Sequence, residues 1–439
     1  MNPNNNHIGD TTPGVVPWPR AIDETGMFGL AGEFVELISP HTEADKNALL
    51  LTFLTIGGNC LGRNFYQLAG PDQHCGNLFT CLIGNTGFGR KGSAMSAVES
   101  FFLRGPNPPR LGHRLRGISS GQAIVWEVHD DIYKMIPDKK TGQPERTLVE
   151  PNIPEKRLLI ILSEFQQCLA NMRQTDSILS SILRTAWDKG EISTPAKTSR
   201  AVATNVLVSM MAAMSRDELL QETQAADVEN GTLNRIDFVC SRRSKLLPEG
   251  GSFDKLFRSE AWESLQKRFN HNIAESQENL PMLIERDDEA NLYWGLNSNP
   301  ACGMYKELNQ ARIGLWGAVT ARAPQIVLRI ALITAIINGC RQIRREHLEA
   351  AYEIWRYCDH SARYIFGDRL NDPTAAEIMN ALRAVAPGGL SRTQIHRIWK
   401  SHKDKAEIDR ALLWISHSGI ARCEKTETGG RPIETWYVV

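Results

Sequence analysis

The sequence predicts a P-loop-type α/β core, an all-α layer packed on it, and a C-terminal winged-helix module. Three observations carry that prediction. Short apolar runs at 77–83, 157–162, 205–211 and 235–240 alternate with helical periods, as buried parallel strands do. The first run opens into GNTGFGRKGS, residues 84–93, and a helical period follows at once. Residues 372–439 carry their own punctuation, with three helical periods and then two short strands around Gly429-Gly430.

In order, residues 1–20 are rich in Asn, Pro and Gly and read as a disordered tail. Apolar spacing over 32–61 gives two helices, parted at Ser39-Pro40. The strand at 77–83 ends in Gly84, and a helix is expected over 93–102. A further helix is expected over 119–133, with Ser120 as N-cap. The polar segment 134–156 reads as a hairpin or long loop, and RLLIIL at 157–162 as the second buried strand. A helix at 177–187 and a hairpin at 190–203 precede the third and fourth strands. From 252 to 368 the text is helical, and 322–339 is apolar enough for a buried helix. At the end come a helix over 374–385, a turn at Pro387-Gly388-Gly389, and a helix capped by Ser391. A third helix over 404–418 and strands at 421–424 and 435–438 complete the module. The boundaries are therefore 1–20 for the tail, 21–250 for the core, 251–370 for the helical layer and 371–439 for the winged helix.

Composition narrows the partners. The 439 residues hold 50 basic and 50 acidic side chains, so a uniformly basic nucleic-acid coat is excluded, though a local patch is not. The nine cysteines form no C-x-x-C pair, which argues against a zinc ribbon and for reduced thiols in a cytoplasmic protein. The polar N-terminus lacks the apolar core of a signal peptide, and no run is fit to span a bilayer.

The glycine stretch carries the chemistry. Gly84 and Gly89 stand at the separation of a phosphate loop, G-x-x-x-x-G-K-[ST]. Arg90 occupies the usual lysine place; Lys91 comes one residue late, and Ser93 follows Gly92. A glycine loop between strand and helix aims backbone N–H groups at one point, where the helix N-terminus adds partial positive charge. Gly84, Asn85, Thr86, Gly87, Gly89, Arg90, Lys91, Gly92 and Ser93 would cradle the phosphates of ATP. Lys91 would reach the β- and γ-phosphates and Ser93 would offer its hydroxyl to Mg²⁺.

The second strand ends in Ser163-Glu164. Glu164 is placed to orient an attacking water, whereas Ser163, where an Asp is usual, brings no negative charge to Mg²⁺. Ser215, past the third strand, either senses the γ-phosphate or caps the next helix, with Glu218 three residues on; both roles stay open. Arg235 and Arg322 are candidates to stabilise transition-state charge, the first from a neighbouring subunit and the second from the helical layer. The ordinary alternatives are a structural ion pair for Arg235 and a solvated side chain for Arg322.

Taken in order, GNTGFGRKGSA, LLIILSEF, VSMMAAMS, LNRIDFV and RAPQIVLRIAL, followed by the winged helix, resemble the minichromosome-maintenance branch of the AAA+ helicases. The chain more closely resembles a large family of primase- and helicase-associated P-loop proteins of phages, prophages and other mobile elements. ISSGQAI, SEFQQCLANM, SSILRTAWDKGEI and TGGRPIETWYV are similar to stretches of that family, in which R-K-G-[ST] is a recurrent variant. The resemblance implies ATP and Mg²⁺ as cofactors, a homo-oligomer in the form of a hexameric ring, DNA as partner, and a separate primase or initiator. It implies an ATP-dependent DNA helicase or translocase serving replication of a mobile element. The alternatives are a nucleotide-gated initiator or regulator with little hydrolysis, or a defence-system sensor using the same module.

DNA contacts are expected in two places. In the related helicases a pore hairpin stands where 190–203 does, which points to Lys197 and Arg200. The winged helix, with ten Lys/Arg against eight Asp/Glu over 371–439, offers Lys403, Lys405 and Arg410 to a groove and Lys425 and Arg431 to a backbone.

Overall fold

The computed structural model describes residues 16–137, 142–194, 200–224, 227–228, 230–274, 281–295, 303–312, 314–367, 373–399, 403–417, 420–426 and 433–439. At its centre lies a sheet of five parallel strands: β1 (Phe79–Ile83), β2 (His113–Arg116), β3 (Arg157–Leu162), β4 (Leu207–Met214) and β5 (Ile236–Cys240). Their spatial order is β5-β1-β4-β3-β2. Phe79 faces both Met210 and Ile236 across the ladder, and Leu207 faces Arg157. The three inner strands and β5 have helices over both faces, which is why they read as unbroken apolar runs.

Helices α1 (Gly29–Ile38), α2 (Lys46–Leu61), α3 (Lys91–Phe101), α4 (Gly121–Trp126), α5 (Phe165–Met172), α6 (Leu179–Asp188) and α7 (Arg216–Glu222) surround the sheet. In α2 every residue from Asn47 to Leu61 is buried, so it is a core helix with no solvent stripe. Phe34 of α1 stacks on Phe53 of α2 with centroids 4.3 Å apart, and Phe101 of α3 meets both rings edge-on. Trp262 and Phe269, from the helix Glu260–Asn272, close that aromatic cluster.

The helical layer is not a separate body. Helices α8 (Ala323–Ile337) and α9 (Arg345–Phe366) share one continuous apolar core with the sheet, running from Ile22 to Phe366. The layer is not wholly α either. Met282–Leu283 pairs in parallel with the start of Phe65–Ala69, a strand that also forms a hairpin with Asp72–Cys75.

Two more expectations are corrected. Residues 1–15 lie outside the described residues, but Trp18 and Pro19 are packed: Pro19 is buried and Trp18 meets Tyr364 edge-on at 5.1 Å. The helix at 119–133 stops at Trp126, and Ile132–Pro137 pairs with Pro144–Glu150 as a hairpin, one of the two forms expected over 134–156. Ser120 does cap α4, accepting from the Ala123 N–H.

The C-terminal region has its own core, from Ala375 to Trp436. Helices Pro373–Val385, Arg392–Arg397 and Lys405–His417 pack with a three-stranded antiparallel sheet of Leu390–Ser391, Ala421–Thr426 and Ile433–Val438. Ser391 and Gln394 form a reciprocal capping box at the second helix.

Candidate phosphate-binding site

The carboxyl ends of β1, β3 and β4 converge on one crevice, where the strand order reverses and α/β sheets bind ligands. The glycine loop leaves β1 there. Its base is tight: a Cβ on Gly84 would stand 2.2 Å from the Ser241 carbonyl oxygen, and one on Gly89 3.0 Å from the Gly84 Cα. The end of β5 forms the floor, since the Ser241 N–H donates to Ile83 O at 2.7 Å and its hydroxyl to Gly89 O at 2.7 Å.

Arg90 adopts a left-handed conformation, φ 48°, just before α3. That turn absorbs the residue by which the loop exceeds the usual spelling, so Lys91 begins the helix. The Arg90 guanidinium pairs with the Glu43 carboxylate, 2.5 Å away, and Arg243 approaches the same carboxylate at 3.4 Å. Lys91 turns back over the loop, its Nζ donating to Gly84 O at 2.5 Å. Burial lowers the pKa of this ammonium, and the nearby Glu218 carboxylate opposes the shift.

The first-turn N–H groups of α3 have no intrahelical acceptor and no side-chain cap. A Cβ on Gly92 would meet nothing within 4 Å, so the approach to them is open. A cavity of about 420 Å³ lies over this turn, lined by Thr86, Lys91, Ser93, Ser163, Glu164 and Glu218 among others. A second cavity, of about 620 Å³, shares Arg90 and Ser93 with the first and is lined beyond them by His41, Leu247, Phe253 and Phe257.

Glu164 stands exposed at the N-cap position of α5 and caps no backbone N–H, so its carboxylate faces the first cavity uncommitted among the described residues. Ser163 lines the same cavity. Ser215 is committed: its hydroxyl accepts from the Glu218 N–H at 3.3 Å while Glu218 accepts from the Ser215 N–H at 3.0 Å. Of its two roles the helix cap is the one present, although Ser215 also lines the cavity. Sequence reasoning saw Glu218 only as a cap and missed Gln166 and Glu43. Gln166 lines the cavity, and Glu43 lies 47 residues from the arginine that it holds.

The two arginines lie elsewhere. Arg235 precedes β5 at the amino end of the sheet, pairs with Asp188 at 2.5 Å, and has only 7% of its side chain exposed. Arg322 reaches the other oxygen of Asp188 at 3.1 Å and hydrogen-bonds Asn234. Both are thus tied inside their own chain rather than presented to a phosphate, and the ion-pair alternative for Arg235 is the arrangement seen. Arg329, fully buried, lies 3.6 Å above the Trp187 ring and donates to the carbonyls of Asn77 and Trp187.

Of the residues expected at DNA, Lys197 and Arg431 lie outside the described residues. Arg200 is exposed beside Val202–Ala203, which pairs with Ile192–Ser193 as the expected hairpin. Lys405 and Arg410 are exposed. Lys403 is turned inward, to Glu407 at 3.2 Å and the Thr374 hydroxyl at 2.5 Å, and Lys425 pairs with Glu434 at 3.3 Å. Lys403 therefore serves the module's own packing, whereas Lys425, with 67% of its side chain exposed, is paired at the surface.

Neither the protein-family models nor the curated proteins contain a match to this chain. Among the described residues no helix is long and apolar enough to cross a membrane, and no cluster of His, Cys, Asp or Glu is fit to hold a metal by itself.

Proposed function

We propose that the protein binds ATP with Mg²⁺ at the glycine loop and is an ATP-dependent DNA helicase or translocase of the AAA+ type, assembled as a homo-oligomeric ring. One observation carries the reading: Lys91, Ser93 and an uncommitted Glu164 line a single cavity over an open helix N-terminus, at the carboxyl ends of three strands. Its volume falls within the range of about 300–1,000 Å³ usual for small-molecule sites. The α3 N–H groups and Lys91 would take the phosphates, and Ser93 would be the hydroxyl offered to Mg²⁺, which would neutralise developing phosphate charge. Glu164 would accept the proton of the water that attacks the γ-phosphorus, with ADP as leaving group. The adjoining cavity with Phe253 and Phe257 offers an apolar slot for the base. The C-terminal helices and sheet would act as a winged helix on DNA, with the 190–203 hairpin in the pore.

Two observations favour a second reading, a nucleotide-gated initiator or regulator with slow turnover. Ser163 adds no charge beside Glu164, and Arg235 and Arg322 are spent on Asp188.

Mg²⁺-ATPase assays with and without single-stranded DNA separate the two. DNA-stimulated turnover that is lost in Lys91→Ala and in Glu164→Gln supports the motor. Tight ATP binding with negligible turnover in the parent supports the regulator. Arg90→Ala should spare ATP binding, because Arg90 is turned to Glu43, whereas Lys91→Ala should abolish it.

A further inference from the structure

Between Glu99 and Glu127 the chain holds Arg104, Arg110, His113, Arg114 and Arg116 and no acidic residue, in a protein of zero net charge. These residues lie on and just before β2, the outer strand of the sheet, which is paired with β3 alone. The acids that meet the arginines come from other elements and are outnumbered. Glu99 on α3 takes both Arg114, at 3.0 Å, and Arg116, at 2.7 Å. Glu155 takes Arg157 at 2.7 Å and stands 3.7 Å from Arg110. Arg104 has no ion pair among the described residues and is exposed. Each carboxylate thus answers two guanidinium groups. The surplus faces solvent, with 60% of the Arg116 side chain and 71% of the Arg110 side chain exposed.

The ordinary explanation is protection of an open sheet edge by charge. It accounts for one or two arginines on β2. It does not account for Arg104 and Arg110, which are off the strand, nor for two guanidiniums on a carboxylate that one would neutralise. Arg114 and Arg116 lie two residues apart on one face of a strand, which sets their anchors about 7 Å apart. Both forks converge on the same Glu99 oxygen; drawn off it by a stronger anion, forks anchored at that interval suit successive phosphates of a polynucleotide backbone, bound without reading the bases.

We propose that the β2 edge is a nucleic-acid backbone site, separate from the hairpin and the C-terminal module. The inference rests on the proposed DNA partner and not on ATP hydrolysis.

The test is fluorescence anisotropy of the full chain with a labelled oligodeoxythymidylate and with a duplex, over a salt series and without nucleotide. Arg104→Ala/Arg110→Ala should weaken single-strand binding about tenfold at low salt and lower the log–log salt slope by about 1.4, at about 0.7 per lost contact. Arg116→Lys, which keeps the charge but loses the fork, should weaken it by a smaller factor. Glu99→Gln should tighten binding by releasing both arginines, a gain that mere damage to the fold would not give. ATPase activity without DNA should be unchanged in Arg104→Ala/Arg110→Ala, so failure at the nucleotide site reads out separately. Parent affinity and slope in the double variant would overturn the site. So would absence of nucleic-acid binding by the parent, or competition by polyglutamate equal to that by polynucleotide at matched charge.

Discussion

Gly92→Ala puts the open space over α3 to a direct test. Gly92 is the second residue of α3, its φ is not positive, and a Cβ there meets nothing within 4 Å. For the free protein, alanine should therefore be better than glycine by about 0.5–1 kcal/mol, through helix propensity and a less flexible unfolded chain. That same Cβ stands where a phosphate would approach the first-turn N–H groups. ATP at a hundred times its dissociation constant stabilises a protein by about 2.7 kcal/mol; if the methyl weakens binding tenfold, the gain falls to about 1.4 kcal/mol. At about 2.1 cal/mol/K of unfolding entropy per residue, a chain of this length converts those gains into Tm rises of about 3 °C and about 1.5 °C. Melting curves of parent and variant, each with and without Mg²⁺-ATP, give all four values. The expected pattern is a variant that melts at or slightly above the parent when free and gains about half as much from nucleotide. An undiminished ATP response would refute the use of that space by phosphate. A variant that melts well below the parent when free would refute the geometry itself.

Gly84→Ala is the opposite case, because its Cβ would meet backbone atoms that cannot move aside alone. It should cost about 3 kcal/mol in urea unfolding and abolish the ATP-induced rise in Tm. Asp188→Ala strands Arg235 and Arg322 together and should destabilise by about 3 kcal/mol in urea, with Asp188→Asn losing less; equal melting of all three proteins would dismiss the cluster as ornament. Asp237, buried in β5 with its Oδ2 unpartnered, has its carboxyl pushed up to about 7 by burial. Its folded pKa exceeds the unfolded value of about 3.9, so its contribution is intact below about pH 4 and is lost as pH rises towards 7. Asp237→Asn should match the parent near pH 4 and exceed it above pH 7 by up to about 4 kcal/mol; parallel stability–pH curves would sink that account.

What the sequence disclosed was local. RLLIIL marks β3 to the residue because a strand covered on both faces must be apolar throughout. Ser120, Ser215 and Ser391 mark helix starts because a hydroxyl oxygen there answers an orphan N–H. The loop's departure from the usual spelling is visible at Arg90-Lys91, but the distant Glu43 that pairs with Arg90 is not. The hidden features depend on tertiary neighbours. β2 reads HRLR because an edge strand carries charge where an inner one carries Leu or Ile. The 119–133 helix was drawn too long because its apolar period continues past Trp126 into a strand. Asp188 lies 47 residues from Arg235 and 134 from Arg322, and nothing local announces that both converge on it.

Arg329 fixes what can move. One guanidinium, lying on the Trp187 ring, joins α8 to the end of α6 and to the chain entering β1. Sliding α8 over the sheet would drag a cation away from the Asn77 and Trp187 carbonyls and the Asn77 side-chain oxygen and leave it in an apolar interior. A displacement of α8 over the sheet would therefore have to break this joint first.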